Sequence, residues 1–590
     1  MKRLLGLASL AVTLSLAVLT ACGGGSSSTM TPPPPPPAPS ITSFTANDPS
    51  ITEGTSATLT GVFANGTGVI TPGNLTVTSG VGMSVNPAGT TTYILTVTGT
   101  TSPAATATAI VTVASATVSQ VTVDTTSSGP AVTDKLLGMN MAVWYDLVSN
   151  KTGIVQGLQA AGITQVRWPG GSDSDQYHWK TNAQCNGGYS DPNDLYTNFV
   201  SDMAMPANLD VALTANYGSN IACTAGGDPT EAADWATAMV TAGITPSHMT
   251  VGNEEYGSWE YDLHSAKNDA TTYAAAVVGT TGYYQSIKAA SPSTLVGVVA
   301  DADNANNGWD NTVLYNAKGY YDFVEYHYYP EAPGQESDTF IVQKAAQGLT
   351  TNINTLRSEL TMWGTPGTPI YVGEIGGPYS NPGKQSWSIT QGLYAGQVLG
   401  EMMNAGVSRL TWWIGFGNCN GANGNLSTSL YGWQDFGAYN VFSDGSDDPT
   451  CPGAGPLGTM SPTARAFQLF SQMAVNGQKV LTATVAGDTT DVRAYAATNP
   501  NGTAVLLFND NETLAQQVTV ALTGKATSPG VNVTTYDKAI YDLSGSPTGT
   551  PPDPVGTSTW AAPTTANMGM QNLPLTLTLT PWSMNVVIIQ

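Results

Sequence analysis

Between residues 137 and 415 the chain repeats one pattern: a short run of β-branched and aromatic residues, then a segment long enough for a helix or an elaborated loop. Eight runs are legible, at 137–144 (LLGMNMAV), 163–168 (ITQVRW), 209–215 (LDVALTA), 249–254 (MTVGNE), 295–300 (LVGVVA), 322–329 (DFVEYHYY), 369–375 (PIYVGEI) and 408–414 (SRLTWWI). Helical intervals include 151–161, 231–241, 271–290 and 386–404, the last carrying internal glycines that weaken the case for one unbroken helix. Eightfold strand–helix alternation is what a closed parallel (β/α)8 TIM barrel requires, and it places the functional site at the C-terminal strand ends. An open doubly wound sheet is the rival architecture, disfavoured because no Gly-rich phosphate loop follows the first run.

The flanks read differently, so the expected fold is multidomain. Residues 41–114 hold short alternating runs such as Tyr93-Ile94-Leu95-Thr96-Val97 between Asn, Gly and Pro. They predict a small immunoglobulin-like β-sandwich. Its few aromatics, Phe44, Phe63 and Tyr93, favour a spacer over a carbohydrate-binding module. The barrel is expected over 132–475, ending in a helix at 461–474. A strand-rich C-terminal β-sandwich follows over 476–590, with runs such as 503–508 (TAVLLF) and 584–589 (MNVVII). A strand within 118–127 is expected to return and pair with that sandwich.

The N-terminus carries Lys2 and Arg3, an apolar run from Leu4 to Leu19, and then Leu19-Thr20-Ala21-Cys22. A basic start followed by a short apolar stretch reads as an export signal. Residues 1–22 resemble a bacterial lipoprotein signal, which implies a lipidated Cys22 and a membrane-anchored chain in the outer membrane, the periplasm or at the cell surface; a plain secretory peptide is the alternative. Residues 23–40, rich in Gly, Ser and Pro, form a tether. No later segment reads as a membrane span. With Cys22 set aside, four cysteines permit two disulfides, and sequential pairing of Cys185 with Cys223 and of Cys419 with Cys451 is preferred over free thiols. Their spacings match no zinc cluster, and no metal or other cofactor is expected. Acidic residues outnumber basic ones 41 to 18 in the 590-residue chain. That balance excludes the basic patch a nucleic-acid partner would need and suits a neutral carbohydrate.

Two of the eight runs end in a carboxylate: Val251-Gly252-Asn253-Glu254-Glu255-Tyr256 in the fourth, and Tyr371-Val372-Gly373-Glu374-Ile375-Gly376-Gly377 in the seventh. Two carboxyl groups facing each other across a barrel mouth are the requirement for glycosidic cleavage, one donating a proton to the leaving oxygen and one attacking or polarising water. Glu255, Glu260 and Glu325 compete for the acid role. The segment Asp301-Ala302-Asp303-Asn304-Ala305-Asn306-Asn307 superficially suggests a calcium loop, but it lacks the Glu at the twelfth position.

This arrangement resembles glycoside hydrolase clan A. Within the clan, Arg167-Trp168-Pro169-Gly170-Gly171, Gly138-Met139-Asn140 and the fused sandwich resemble the α-L-arabinofuranosidase family and its barrel-plus-sandwich relatives, over residues 118–590. The resemblance implies Glu254 as acid/base, Glu374 as nucleophile and Asn253 as the contact to the sugar 2-hydroxyl. It places Arg167 beside Glu374, has His327 and Tyr329 positioning the nucleophile, and makes Trp412 the sugar platform in preference to Trp413. Trp144, Tyr256 and Asn216 are cleft candidates by position alone. The activity so implied is retaining hydrolysis of α-L-arabinofuranosyl residues from plant polysaccharides or oligosaccharides. An endo-β-glycanase of the same clan (a glucanase or xylanase) is the alternative, and a non-catalytic carbohydrate-binding surface lipoprotein the second. Loops 170–208, 216–230 and 415–450 are expected to shape the cleft.

Overall fold

The computed structural model describes residues 36–52, 55–100, 103–114, 118–302, 306, 308–417, 439–445, 456–524, 528–541 and 561–590. The chain forms two compact units that divide after Ala114.

In the second unit, eight parallel strands follow one another in chain order around a barrel: Gly138–Asn140, Gln165–Trp168, Asp210–Ala215, His248–Val251, Leu295–Ala300, Phe323–Tyr328, Ile370–Ile375 and Arg409–Leu410. The first and last strands meet through a parallel bridge between Met139 and Trp412. Asn140 N–H donates to the Trp412 carbonyl at 2.8 Å, and Trp412 N–H to that of Gly138 at 3.0 Å. The outer strands are shorter than their apolar runs suggest. The fourth strand also stops early, at Val251, because Gly252 takes φ +73° and turns the chain.

Helices cover the barrel, among them Lys151–Ala160, Pro229–Ala242 and Ile389–Asn404. The interval expected to be helical at 271–290 is two helices, Ala270–Val277 and Tyr283–Ala290. Val278 is extended between them, and a side chain on Gly282 would collide with the Val278 carbonyl.

The glycines of Ile389–Asn404 do not break that helix. Gly392, Gly396 and Gly400 recur every four residues and so line one face. Against them pack Pro462 of the helix Pro462–Phe470, then Met584 and Phe508, then Tyr495. The stripe trades helix propensity for close approach of the barrel to the C-terminal sandwich.

Among the described residues that sandwich has nine strands, in the spatial order Thr564–Met570, Gly530–Asp537, Ser583–Ile589, Gly502–Asn509, Val492–Asn499, Val480–Ala486, Ser119–Asp124, Gln516–Leu522 and Leu575–Leu579. Strand Val480–Ala486 links two ladders. Val480 and Leu481 pair with Ala497 and Ala496, while Thr482–Ala486 pair with Asp124–Gln120. Ser119–Asp124 thus sits between two C-terminal strands, and Val121 and Val123 are fully buried in the sandwich core beside Val505, Leu507 and Val518.

The first unit is a two-sheet β domain. Strands Ser40–Ala46, Ala57–Ala64 and Gly82–Val85 form one sheet, and Ser50–Thr52, Ala105–Ala114, Thr91–Thr98, Thr67–Thr71 and Leu75–Val77 the other. Phe44 and Tyr93 are buried between the sheets and Phe63 packs against the same core. Among the described residues, no helix is long and apolar enough to cross a membrane.

The glycine stripe is testable. A Cβ on Gly400 would meet the Tyr495 ring at 2.5 Å. Ala favours a helix interior by about 1 kcal/mol over Gly, whereas overpacking costs about 1–3 kcal/mol. Gly400→Ala is therefore expected to lower Tm in calorimetry, and an unchanged or raised Tm would show that the contact relaxes freely.

Candidate active site

The site begins with one buried arginine. Arg167, in the second barrel strand, is fully enclosed, and each part of its guanidinium meets a different strand or strand end. Nη1 donates to Glu374 Oε1 at 2.9 Å and to Asn140 Oδ1 at 3.0 Å. Nη2 donates to Asn253 Oδ1 at 2.8 Å. Nε lies 2.8 Å from Glu325 Oε1, a charge contact without hydrogen-bond alignment. Burial disfavours the cation, but Glu325 and Glu374 outweigh it and strengthen its charge.

Glu325 is equally enclosed. It accepts from Thr250 Oγ1 and meets His327 Nε2 at 3.0 Å. Burial alone would raise its pKa; Arg167, His327 and Thr250 overcome that and bring it down to about 2. Glu325 is therefore a carboxylate holding two cations beneath the cleft, not a proton donor. His327 Nδ1 faces upward, 2.8 Å from Glu254 Oε1 and 3.9 Å from Glu374 Oε2. Burial works against its charge, yet Glu374, Glu254 and Glu325 together push the imidazole up to about 10.

Glu374 reaches this cluster through an irregularity. On strict alternation Tyr371, Gly373 and Ile375 would face inward and Glu374 outward. The register between the sixth and seventh strands shifts, so that Tyr326 pairs with Val372 but His327 with Glu374. Such a bulge re-aims a side chain. Gly373 is required there, because any Cβ would overlap Glu325 Oε1. Tyr329 OH donates to Glu374 Oε2 at 2.8 Å.

Glu254 stands in the turn after the fourth strand, its second oxygen accepting from Trp259 Nε1 at 2.7 Å. One carboxylate oxygen of Glu254, one of Glu374 and one His327 nitrogen lie within 4.8 Å of one another. Burial raises both carboxyls. Hydrogen bonds from His327 and Trp259 reverse this at Glu254 and lower it. At Glu374 burial prevails over His327 and Arg167, with the Glu254 charge adding to the rise.

Neighbouring acids are engaged away from that pair. Glu255 is fully buried against Asp175, pushed well up by desolvation and then by that neighbour's charge. Glu260 accepts from Asn253 Nδ2 at 3.0 Å and Ser172 Oγ at 2.8 Å, so it braces Asn253.

Two expected cleft residues point elsewhere. Trp412 is buried against Tyr394 and Phe467, towards the outer helices. Trp413 is the half-buried ring, its Cη2 2.7 Å from where a Cβ on Gly171 would stand, which explains the glycine pair after Pro169. The inward Thr411, whose hydroxyl donates to the Gly373 carbonyl, was the sequence signal for this register, since i and i+2 share a face. Asn216 spends its amide within the loops, donating to the Tyr177 carbonyl of the loop after the second strand and to Ser219 Oγ of its own, and accepting from Ser219 N–H. Trp144 is half-buried against Gly417, and Tyr256 packs edge-on against Trp259 and Trp309. Trp259, which sequence reasoning missed, lies within the loop that also carries Glu254.

Cys185 and Cys223 form a disulfide with Cα atoms 5.7 Å apart, tying the loop after the second strand to that after the third. Cys22, Cys419 and Cys451 lie outside the described residues, as do most of loop 415–450 and parts of 301–307. Besides the Glu254–His327–Glu374 group, Asp146, Asp191 and Asp194 bring carboxylate oxygens together; Asp194 accepts from Leu147 and Val148 N–H, and Asp191 from Asn193 N–H.

The imidazole gives a pH prediction. Its folded pKa is raised from an unfolded value of about 6.5, so its stabilisation is full below that pH and disappears as pH rises through about 10. Thermal unfolding followed from pH 6 to 10.5 should show a steeper alkaline loss of Tm in the parent protein than in His327→Gln. Parallel curves would refute the charged cluster.

No family model matches the chain, and no curated protein matches it in sequence. Solved structures do match in fold. An α-L-arabinofuranosidase from Thermotoga maritima superposes with a TM-score of 0.60 at 15% identity, over 80% of this chain and 100% of that one. The GH51 arabinofuranosidase from Xanthomonas axonopodis pv. citri gives 0.58 at 16%, with the same coverage of both chains. A xyloglucanase of glycoside hydrolase family 44 from Paenibacillus polymyxa gives 0.52 at 14%, again over 80% and 100%. The likeness extends over most of the chain, and what it shows is a shared fold.

Proposed function

We propose that this protein is a retaining glycoside hydrolase in which Glu254 is the acid/base and Glu374 the nucleophile. The observation that carries the reading is the approach of the two carboxylates to within 4.8 Å at the C-terminal mouth of the barrel. Retaining enzymes hold their carboxyl groups about 5–5.5 Å apart, and inverting ones about 6.5–9.5 Å to admit a water.

Chemistry requires an ionised Glu374 and a protonated Glu254. In the resting cluster burial raises Glu374 while His327 and Trp259 lower Glu254, so the reactive state is reached by moving a proton onto Glu254 with Glu374 left ionised. Movement of the His327 Nδ1 proton along its 2.8 Å contact makes Glu254 the neutral acid, while Nε2–H of the now neutral imidazole still faces Glu325. Arg167 and Tyr329 hold Glu374 from either oxygen, orienting it for attack on the anomeric carbon. Glu254 protonates the leaving oxygen, and after departure it takes a proton from the water that releases the glycosyl-enzyme. Asn253, fixed by Arg167 and Glu260, supplies an amide N–H to the 2-hydroxyl.

Among substrates we favour α-L-arabinofuranosides of plant polysaccharides. The arabinofuranosidase structures superpose with higher TM-scores than the xyloglucanase and a bifunctional glucanase-xylanase, which supports this choice over an endo-β-glycanase. Residues 41–114 we take as an immunoglobulin-like spacer, and residues 1–40 as a lipoprotein signal and tether on an exported chain.

Glu374→Gly should lose at least about 10⁴-fold in turnover. Azide should restore cleavage, giving a glycosyl azide of inverted anomeric configuration. Retained activity in that variant would remove Glu374 as nucleophile. On a polysaccharide panel the chain from residue 41 onward should release free arabinose, and ladders of β-linked oligomers without arabinose would replace the arabinofuranoside reading by the endo-glycanase one. Cys22→Ala should abolish incorporation of labelled palmitate in a bacterial host; undiminished label would overturn the anchor.

A further inference from the structure

Trp259 is 60% exposed, an unusual state for so large an apolar ring. It is nevertheless held in place. Its Nε1 donates to Glu254 Oε2 at 2.7 Å, and its ring lies over Gly257, where any Cβ would overlap Cε2 and Cζ2. Tyr256 meets it edge-on, with centroids 6.2 Å apart. The turn beneath is pinned on several sides: Gly257 N–H donates to the Glu254 carbonyl at 2.6 Å, Asn268 Nδ2 to the Gly257 carbonyl at 2.8 Å, and Glu260 N–H to the same carbonyl at 3.1 Å. A fixed indole with an open face is a surface on which a sugar ring can stack.

Its place relative to the reacting atoms gives the side. Glu254 has two distinguishable oxygens. Oε1 faces His327, whose same nitrogen is 3.9 Å from Glu374, so Oε1 marks the side where the glycone sits between the two carboxylates. Oε2 faces Trp259, whose ring is the exposed one. The group that departs from the anomeric carbon takes its proton from Oε1 and leaves away from Glu374, toward the Trp259 side of the carboxyl.

On the reading of Glu254 as acid/base, we infer that Trp259 is the platform for the leaving-group sugar, stacking the ring to which the glycone is attached while its indole N–H aims the Glu254 carboxyl. The natural leaving group is then a sugar of an oligo- or polysaccharide chain and not a small alcohol. Trp259 is a specificity-determining residue for the leaving group and a positioning residue for the acid.

The test compares two substrates of the same glycone, an oligosaccharide and the methyl glycoside. Both expel an alkoxide that needs acid assistance, but only the first carries a ring to stack. The readout is the ratio of kcat/KM for the oligosaccharide to that for the methyl glycoside in the parent protein, Trp259→Ala and Trp259→Phe. The ratio should fall about tenfold or more in Trp259→Ala, mainly through KM for the oligosaccharide, and return to within about threefold of the parent in Trp259→Phe. In Trp259→Phe, kcat should fall for both substrates with a displaced pH profile, because the N–H is lost while the ring remains. An unchanged ratio in Trp259→Ala, or equal losses on both substrates in Ala and Phe alike, would overturn the platform. Glu254→Gln run in parallel separates the two claims. Full activity there defeats the acid/base reading itself, whereas its loss together with an unchanged Trp259→Ala ratio defeats the platform alone.

Discussion

Everything at the barrel mouth depends on Arg167. A guanidinium without access to water is tolerable only when its charge and donors are matched, and here two carboxylates and two side-chain amides match it. The groups it holds come from the first strand, the turn after the fourth, and the sixth and seventh strands. One side chain therefore sets the distance across the cleft. Removing it would leave the buried Glu325 and Glu374 to share one cation, His327, and breaking a buried pair in this way costs about 3–5 kcal/mol in comparable cases. Donation in several fixed directions from one planar group is also why lysine, a single point charge, would not substitute.

The barrel interior repeats the device at its other end. Arg409, in the last strand, donates to Gln165 at 2.6 Å and Asp210 at 2.7 Å and lies 2.8 Å from His248 Nδ1. Burial, with the Arg409 charge added, pushes His248 down to about 3, the opposite of His327. The two histidines share a fold and a degree of burial; what differs is the sign of the nearest charge. Between the two polar layers lie Ala212, Phe323 and Tyr371, an apolar plug that keeps the networks apart.

How much of this was legible in the sequence follows from which rule governed each residue. The eight strands were found because strands buried on both faces read as apolar runs. Glu254 and Glu374 were found by their motifs, and alternation alone would have sent Glu374 outward, since a one-residue bulge leaves no mark in composition. The choice of Trp412 over Trp413 ignored the alternation that Thr411 signals. Asn216 looked like a cleft residue by position, but its donors and acceptor are consumed by its own loop and by the neighbouring loop that carries Tyr177. The glycines at 392, 396 and 400 read locally as weaknesses and are explained only by Pro462, Phe508, Met584 and Tyr495, residues distant in sequence. Trp259 was passed over because no periodic pattern governs a turn.

The strand Ser119–Asp124 has a mechanical consequence. It joins the N-terminal unit to the rest of the chain, yet it lies inside the C-terminal sandwich, antiparallel to Val480–Ala486 on one side and parallel to Gln516–Leu522 on the other. A pull transmitted through residues before it would be borne in shear by two ladders of backbone hydrogen bonds acting together, instead of peeling one bond at a time. The load would enter the sandwich first, leaving the barrel and its buried charges outside the line of force.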